Sequence, residues 1–209
     1  MSMEKTGREK GMVWKQEELY LHKMGQEEAG HVYETYMRKD FPKNELKPLP
    51  AIQNMMDKDM YDCLGLYEKD SLRAYAFFVT ERKRGSLLLD YLAVCEPYRG
   101  SGLGSLCLGK IREFYKEDNG ILLECESLES AGNEEEMQVR ERRIRFYQEN
   151  GCIRTGISSQ VFGVEFEILY MPLKEDKADT ERDLERLYRK KIPGEMFEKY
   201  VGRSGKVQG

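Results

Sequence analysis

Between Tyr91 and Tyr115 the chain reads YLAVCEPYRGSGLGSLCLGKIREFY, with Gly100, Gly102 and Gly104 at every second position. An apolar segment leads into the glycines. A helical apolar stripe of Leu103, Cys107, Leu108, Ile111, Phe114 and Tyr115 follows them. This order suits anion chemistry. Glycine lets a backbone approach a phosphate with no Cβ in the way, and the first N–H groups of a helix carry positive potential. Ser101 and Ser105 either donate to phosphate or cap the helix. Two carboxylates, Glu124 and Glu126, flank Cys125 in ILLECES and share one side of a strand. Such a pair suits attracting a cationic amine and taking its proton. Asp90 is a third acid, set inside SLLLDYLAV, where an uncompensated charge is costly. For all three, a hydrogen bond to backbone or a pairing with arginine is the alternative role.

Other chemistries have little material. His22 and His31 are the only histidines, so no metal is expected. The five cysteines are odd in number, widely spaced and form no C-x-x-C, which points to buried reduced thiols in a cytoplasmic protein. The net charge is -4 and no Lys/Arg block is present, so a nucleic-acid partner is not expected. No apolar run approaches the roughly 20 residues of a membrane span. The charged start MSMEKTGREKG has no signal-peptide core.

The elements that must hold these residues are read from periodicity. Residues 1–13 read as disordered. Residues 15–39 read as two helices broken near Gly25, with Val32, Tyr33, Tyr36 and Met37 at helical spacing. FPKNELKPLP (41–50) is a loop, and a short helix follows near 51–59. Residues 62–68, 73–80 and 86–94 read as strands of an antiparallel meander, the polar run at 81–85 being one of its turns. The third strand is apolar enough to be central. A helix over 104–117, a strand over 121–127, a helix over 134–149 and one or two strands over 160–173 complete a mixed α/β order. A charged helix over 178–191 and a short helix after Pro193-Gly194 form the tail. The tail covers either the substrate cleft or a partner chain in a homodimer; both stay open. The arginines at 140, 142, 143 and 145 read as a solvated face, with Arg143 able to pair inward.

Known glycine loops discriminate further. The phosphate loop of nucleotide hydrolases needs a G-K-[ST] ending that is absent here, and the dinucleotide fingerprint G-x-G-x-x-G finds Ser105 at its sixth position. R-x-x-G-x-G fits, with Arg99, Gly102 and Gly104. At this motif the chain resembles the GNAT N-acetyltransferase superfamily. The preceding LDYLAV, the Pro-Tyr-Arg-Gly approach and the later RRIRFYQENGC, with Phe146, Tyr147 and Gly151, carry the same resemblance. It is firm over residues 86–152 and extends over about 60–172.

The resemblance implies a mostly antiparallel sheet of six or seven strands with helices on both faces. It implies a domain over 14–173 and leaves 174–209 as a charged helical extension. It implies acetyl-CoA as cosubstrate, held by Arg99, Gly100, Ser101, Gly102, Leu103, Gly104 and Ser105. The pantetheine arm would pair with Leu92, Ala93 and Val94 like an added strand, a backbone N–H near Val94 serving as oxyanion donor. Tyr147 would face the sulfur. A phenol with a pKa of about 10 stays protonated at neutral pH and can donate to a thiolate, although Tyr147 also reads as a core aromatic. Glu126, Glu124 or Asp90 would be the base. The implied reaction is direct attack by a small-molecule or peptide amine in a ternary complex, since no cysteine has an evident activating base. A non-catalytic acyl-CoA-binding module is the alternative, and a protein using the loop for another nucleotide phosphate is a more remote one.

Overall fold

The computed structural model of the chain describes residues 14, 16–81, 85–175 and 179–204. Residues 1–13, expected to be disordered, lie outside these, as do 82–84 of the expected turn. In chain order the elements are β1 (Leu19–Lys23), α1 (Gln26–Val32), a π turn (Tyr33–Met37), α2 (Arg38–Asp40) and α3 (Leu49–Asp57). They continue as β2 (Tyr61–Glu68), β3 (Ser71–Val79), β4 (Ser86–Val94), α4 (Leu103–Phe114), β5 (Gly120–Glu126) and α5 (Glu134–Glu149). The chain finishes with β6 (Ile153–Val161), β7 (Val164–Pro172), α6 (Thr180–Lys191), α7 (Gly194–Tyr200) and β8 (Val201–Ser204). One mixed sheet has the order β1-β2-β3-β4-β5-β7-β6-β8, antiparallel throughout except between β4 and β5.

The α/β class and the mostly antiparallel sheet follow expectation, but the sheet has eight strands rather than six or seven. The start of the segment expected to be helical is strand β1 instead. LYLHK is an edge strand that buries only Leu19 fully, and five residues are too few for period 2 to separate from period 3.6. β8 carries only VGRS and takes its place by pairing Val201 with Val161. β6 begins at Ile153, ahead of the expected 160, because IRTGISSQV is too polar to show alternation. The helix over 134–149 falls where expected. Asn133 caps it, its side chain accepting from the Glu136 N–H.

Each face of the sheet carries its own core. On one, α4 and α5 bury Leu103, Cys107, Leu108, Ile111 and Ile144 against Leu64, Phe78, Leu89 and Leu123. On the other, α1, α3, α6 and α7 bury Ala29, Ile52, Leu187 and Phe197 against Tyr75, Phe77, Leu88 and Leu122. All five cysteines are buried and unpaired. Among the described residues, no helix is long and apolar enough to cross a membrane.

One irregularity positions everything that follows. β4 and β5 pair only from Ser86↔Gly120 to Leu89↔Leu123. Beyond that, β4 stays on β3 as far as Ala74↔Val94, while β5 stays on β7 as far as Glu126↔Phe166. The β3–β4 register shifts between Phe77↔Tyr91 and Phe78↔Leu89, so Asp90 is the extra residue of a bulge. A bulge bends and twists its strand, and β4 leaves β5 at that residue. The result is a V-shaped gap between two strands that each keep their other neighbour.

The tail helix is an integral part of the second core, where Leu187 has no exposed surface. Leu187→Ala is therefore expected to cost about 2–5 kcal/mol. Equilibrium urea unfolding checks this, and a loss below about 1 kcal/mol would mean that α6 is only loosely docked.

Candidate active site

The glycine loop adopts the geometry that an anion cradle needs. Gly100 and Gly102 have φ of +75° and +80°, and Gly102 is the N-cap of α4. A Cβ at either would meet nothing within 4 Å, so backbone conformation rather than space calls for glycine. Gly104 differs. A Cβ there would sit 3.1 Å from Phe146 Cζ, so this glycine lets α4 approach α5. The N–H groups of Gly100, Ser101, Gly102, Leu103 and Gly104 have no acceptor among the described residues; the next amides, of Ser105 and Leu106, return to the Gly102 carbonyl. Five consecutive free donors at a helix start form a strong site for a multiply charged anion. Leu103 contributes its amide only, its side chain being buried. Ser105 is exposed. The Ser101 hydroxyl is already engaged, donating to the Tyr98 carbonyl (2.5 Å) and accepting from Trp14 Nε1 (2.9 Å).

The loop sits at the open end of the V. The Cys95 N–H donates to the Arg73 carbonyl (2.9 Å). Antiparallel alternation then turns the N–H and C=O of Ala93 toward Tyr75 on β3, and those of Leu92 and Val94 into the gap. Leu92 and the Val94 N–H thus face the V without a partner among the described residues, while the Val94 carbonyl is held by Arg99. The Val94 N–H is among these groups, as an oxyanion donor requires. Arg99 closes this edge. Its Nε donates to the Val94 carbonyl (3.0 Å), and its Nη2 meets Asp40 Oδ1 at 2.6 Å. Asp40 also accepts from the Tyr75 hydroxyl (2.6 Å).

The carboxylates are not equivalent. Asp90 and Glu124 lie in a charge network at the vertex of the V. Asp90 accepts from Lys47 Nζ (2.5 Å) and Tyr61 OH (2.5 Å) through Oδ2, and from Lys191 Nζ through Oδ1 (3.0 Å). Lys191 Nζ also meets Glu124 Oε2 at 2.5 Å, and Tyr188 OH donates to Glu124 Oε1 (2.7 Å). Burial alone would raise the Asp90 pKa, but Lys191 and Lys47 hold it well below the carboxylate range. Stability from that pairing is present above the ordinary carboxylate value of about 4 and is lost as pH falls below it. Burial likewise disfavours charge on Lys191, yet Asp90 and Glu124 outweigh it and raise its pKa; Lys47, sharing Asp90 with Lys191, is shifted down by its burial.

Glu126, farther along β5, is half-buried and pairs with Arg140 Nη2 (3.2 Å) and Arg143 Nη1 (3.6 Å) of α5. Arg143 pairs inward as expected. Arg140 does too, also donating to the Ser127 carbonyl (2.6 Å), so it is not on the solvated face assigned to it from sequence.

The Tyr147 ring packs against the α4–α5 core beside Phe146, with ring centroids 5.2 Å apart. Its hydroxyl has no hydrogen-bond partner among the described residues. Burial, with smaller effects from neighbouring thiols, raises its pKa above the ordinary phenol value, so the proton stays on oxygen at neutral pH.

Glu45 escaped the sequence reading. It lies in the 41–50 loop, whose backbone is fastened to β4: the Tyr91 hydroxyl donates to the Glu45 carbonyl (2.8 Å) and accepts from the Lys47 N–H (2.9 Å). The Glu45 carboxyl is exposed and has no ion-pair partner among the described residues. Its pKa is raised by partial burial and by the charge of Glu126, with Arg143 opposing. Nothing in FPKNELKPLP marks it, because its neighbours come from β4, β5 and α5. A cavity of about 710 Å³ lies on the other flank of the β4 end, lined by residues that include Glu27, His31, Tyr36, Tyr67, Arg73 and Tyr98, and none of the site residues expected from sequence lines it.

No protein-family model matches the chain, and no curated protein matches it in sequence. Solved structures do. A Bacteroides thetaiotaomicron protein assigned to the GNAT family of acetyltransferases superposes with a TM-score of 0.62 at 19% identity, over 82% of this chain and 94% of that one. The ribosomal-protein-S18-alanine N-acetyltransferase of Escherichia coli gives 0.54 at 14%, over 77% and 97%. A Salmonella typhimurium protein assigned as an acetyltransferase, solved with its cofactor acetyl-CoA, gives 0.54 at 15%, over 77% and 97%. The chain thus has the GNAT fold.

The two kinds of glycine should separate by mutation. Gly104→Ala is expected to strain the α4–α5 contact and lower the melting temperature, and Phe146→Leu in the same chain should restore part of the loss. Differential scanning calorimetry of both variants tests this. Additive losses would show that Phe146 is not the obstacle.

Proposed function

With the GNAT fold as premise, we propose that this protein is an acetyl-CoA-dependent N-acetyltransferase. The observation that carries the reading is the run of five unpaired amides, Gly100 to Gly104, at the mouth of the gap between β4 and β5. Those amides take the pyrophosphate, and the free backbone groups of Leu92 and Val94 take the pantetheine arm as a strand in the V. Arg99 must leave the Val94 carbonyl for that strand to form, and once released it is placed to follow the phosphates. The solved neighbour that holds acetyl-CoA supports this choice of cosubstrate.

The acceptor is a primary amine of a small molecule or a peptide, attacking the thioester directly. A protein amine is in keeping with the neighbour that acts on ribosomal protein S18. No cysteine serves as an acyl carrier: Cys107, Cys125 and Cys152 are buried and their pKa values are pushed up to about 12 by that burial. The amide of Val94 stabilises the oxyanion. Tyr147 protonates the departing thiolate, its free hydroxyl and retained proton suiting that step.

Asp90 and Glu124 are engaged with lysines, which leaves Glu126 and Glu45 to serve the amine. Glu126, held between two arginines, attracts and orients the cation. Glu45, free of an ion pair and shifted toward neutrality, takes the proton directly or through water.

Two experiments test the assignment. Tyr147→Phe should leave acetyl-CoA affinity and fold intact and slow thiol release about 10²-fold or more. A loss confined to affinity would make Tyr147 a wall of the pocket. Glu45→Gln should remove the acidic limb of the pH–rate profile, because the ionised carboxylate is the active form and activity rises with pH through its pKa. Glu45 faces Glu126 and Arg143, so Glu126→Gln should shift that limb to lower pH rather than abolish it. An unchanged profile in Glu45→Gln would transfer the base role to Glu126. A protein that turns over no amine from a broad panel while binding acetyl-CoA tightly would be a binding module.

A further inference from the structure

The last pair joining β4 to β5 is Leu89↔Leu123, so Asp90 and Glu124 are the first residue on each strand without a partner across the gap. A single ammonium joins them. Lys191, the last residue of α6, reaches Asp90 Oδ1 at 3.0 Å and Glu124 Oε2 at 2.5 Å, and all three side chains are largely buried, at 14%, 3% and 9% exposure. Where the backbone ladder stops, a salt-bridge strut from the C-terminal helix takes over.

We propose that Lys191 is a positioning residue that fixes the vertex of the V, and with it the width of the acetyl-CoA cleft, through its simultaneous contacts to Asp90 and Glu124. The inference rests on the proposed function, because it assigns that cleft to acetyl-CoA. The groups facing the vertex are Lys47 from the 41–50 loop, Tyr61 from β2 and Tyr188 from α6, with the Ser159 hydroxyl of β6 behind Tyr188 at 2.9 Å. Lys47 contacts Asp90 directly and feels Glu124 only at longer range. Without Lys191, Asp90 keeps a cation in direct contact, whereas Glu124 keeps the Tyr188 phenol in contact and only the more distant charge of Lys47. A buried, unpaired carboxylate draws in water or moves away from its neighbour of like charge. Either response opens the vertex, and a strand-like ligand that must touch β4 and reach across to β5 loses its fit. The C-terminal helix α6 thereby controls cofactor affinity from the vertex rather than from the glycine loop.

Charge at the vertex yields a signature that a general packing defect does not. Lys191→Met should bind acetyl-CoA more than about tenfold more weakly than the parent at pH 8. Lys191→Met combined with Glu124→Gln should bind within about threefold of the parent at pH 8, and Lys191→Arg should fall between. Calorimetric titration with acetyl-CoA reads all four proteins, with circular dichroism confirming the fold of each. If the single variant fails to fold at pH 8, the double variant carries the comparison, and its failure to fold or bind there overturns the proposal. So does a folded Lys191→Met protein with parental affinity at pH 8, or a loss that the second substitution does not repair. A parent protein that does not bind acetyl-CoA at all overturns the proposed function itself, and this inference with it.

Discussion

The structure turns on a competition for hydrogen-bonding edges. β4 can satisfy its backbone on β3 or on β5 along its whole length, but after Leu89 it keeps only β3, and β5 after Leu123 keeps only β7. Buried backbone groups without partners are costly, so the unpaired stretch needs something to occupy it. The protein leaves that stretch open toward the glycine loop and closes the other end with ions. The proposed strand-like recognition of a cofactor and the proposed seat for its phosphates then share one origin, the parting of two parallel strands at a bulge.

The ionic closure is also a constraint on chemistry. A vertex with two carboxylates and two ammoniums is balanced and buried, and breaking one partner of such a group is far costlier than its net contribution suggests. It ties up Asp90 and Glu124 in ion pairs, and in the proposed mechanism this leaves acid–base work to Glu45 and Glu126 on the more exposed rim. The arrangement separates residues that hold the cleft in shape from residues that solvent and substrate can reach.

What the sequence reveals and conceals follows from distance along the chain. The strand–loop–helix from Leu87 to Phe114 and the helix of Glu134–Glu149 are legible because their signals are local: apolar periodicity and glycines at a helix start. β1 and β8 are not, since short edge strands are defined by their neighbours. The vertex network is invisible for the same reason. Lys47 lies 43 residues from Asp90, and Lys191 lies 67 from Glu124. Within RLYRKK, moreover, Lys191 reads as one of three cations suited to the end of a helix. The placement of Glu124 and Glu126 on one strand was readable; their different fates, one on lysine and one on arginine, required the helices to be packed. Ser101 shows a finer limit. Its hydroxyl suits phosphate by chemistry alone, but the fold spends it on Tyr98 and Trp14.

That last contact has an optical consequence. Trp14 is the only tryptophan in the chain, and its indole N–H rests on the hydroxyl of a residue in the middle of the glycine loop, its ring edge-on to Tyr98 at 5.6 Å between centroids. Indole emission responds to the polarity and hydrogen bonding of its surroundings. The single fluorophore is therefore positioned as an intrinsic, label-free monitor of the loop, and rapid-mixing fluorescence can follow in real time the ordering of that backbone around an arriving anion.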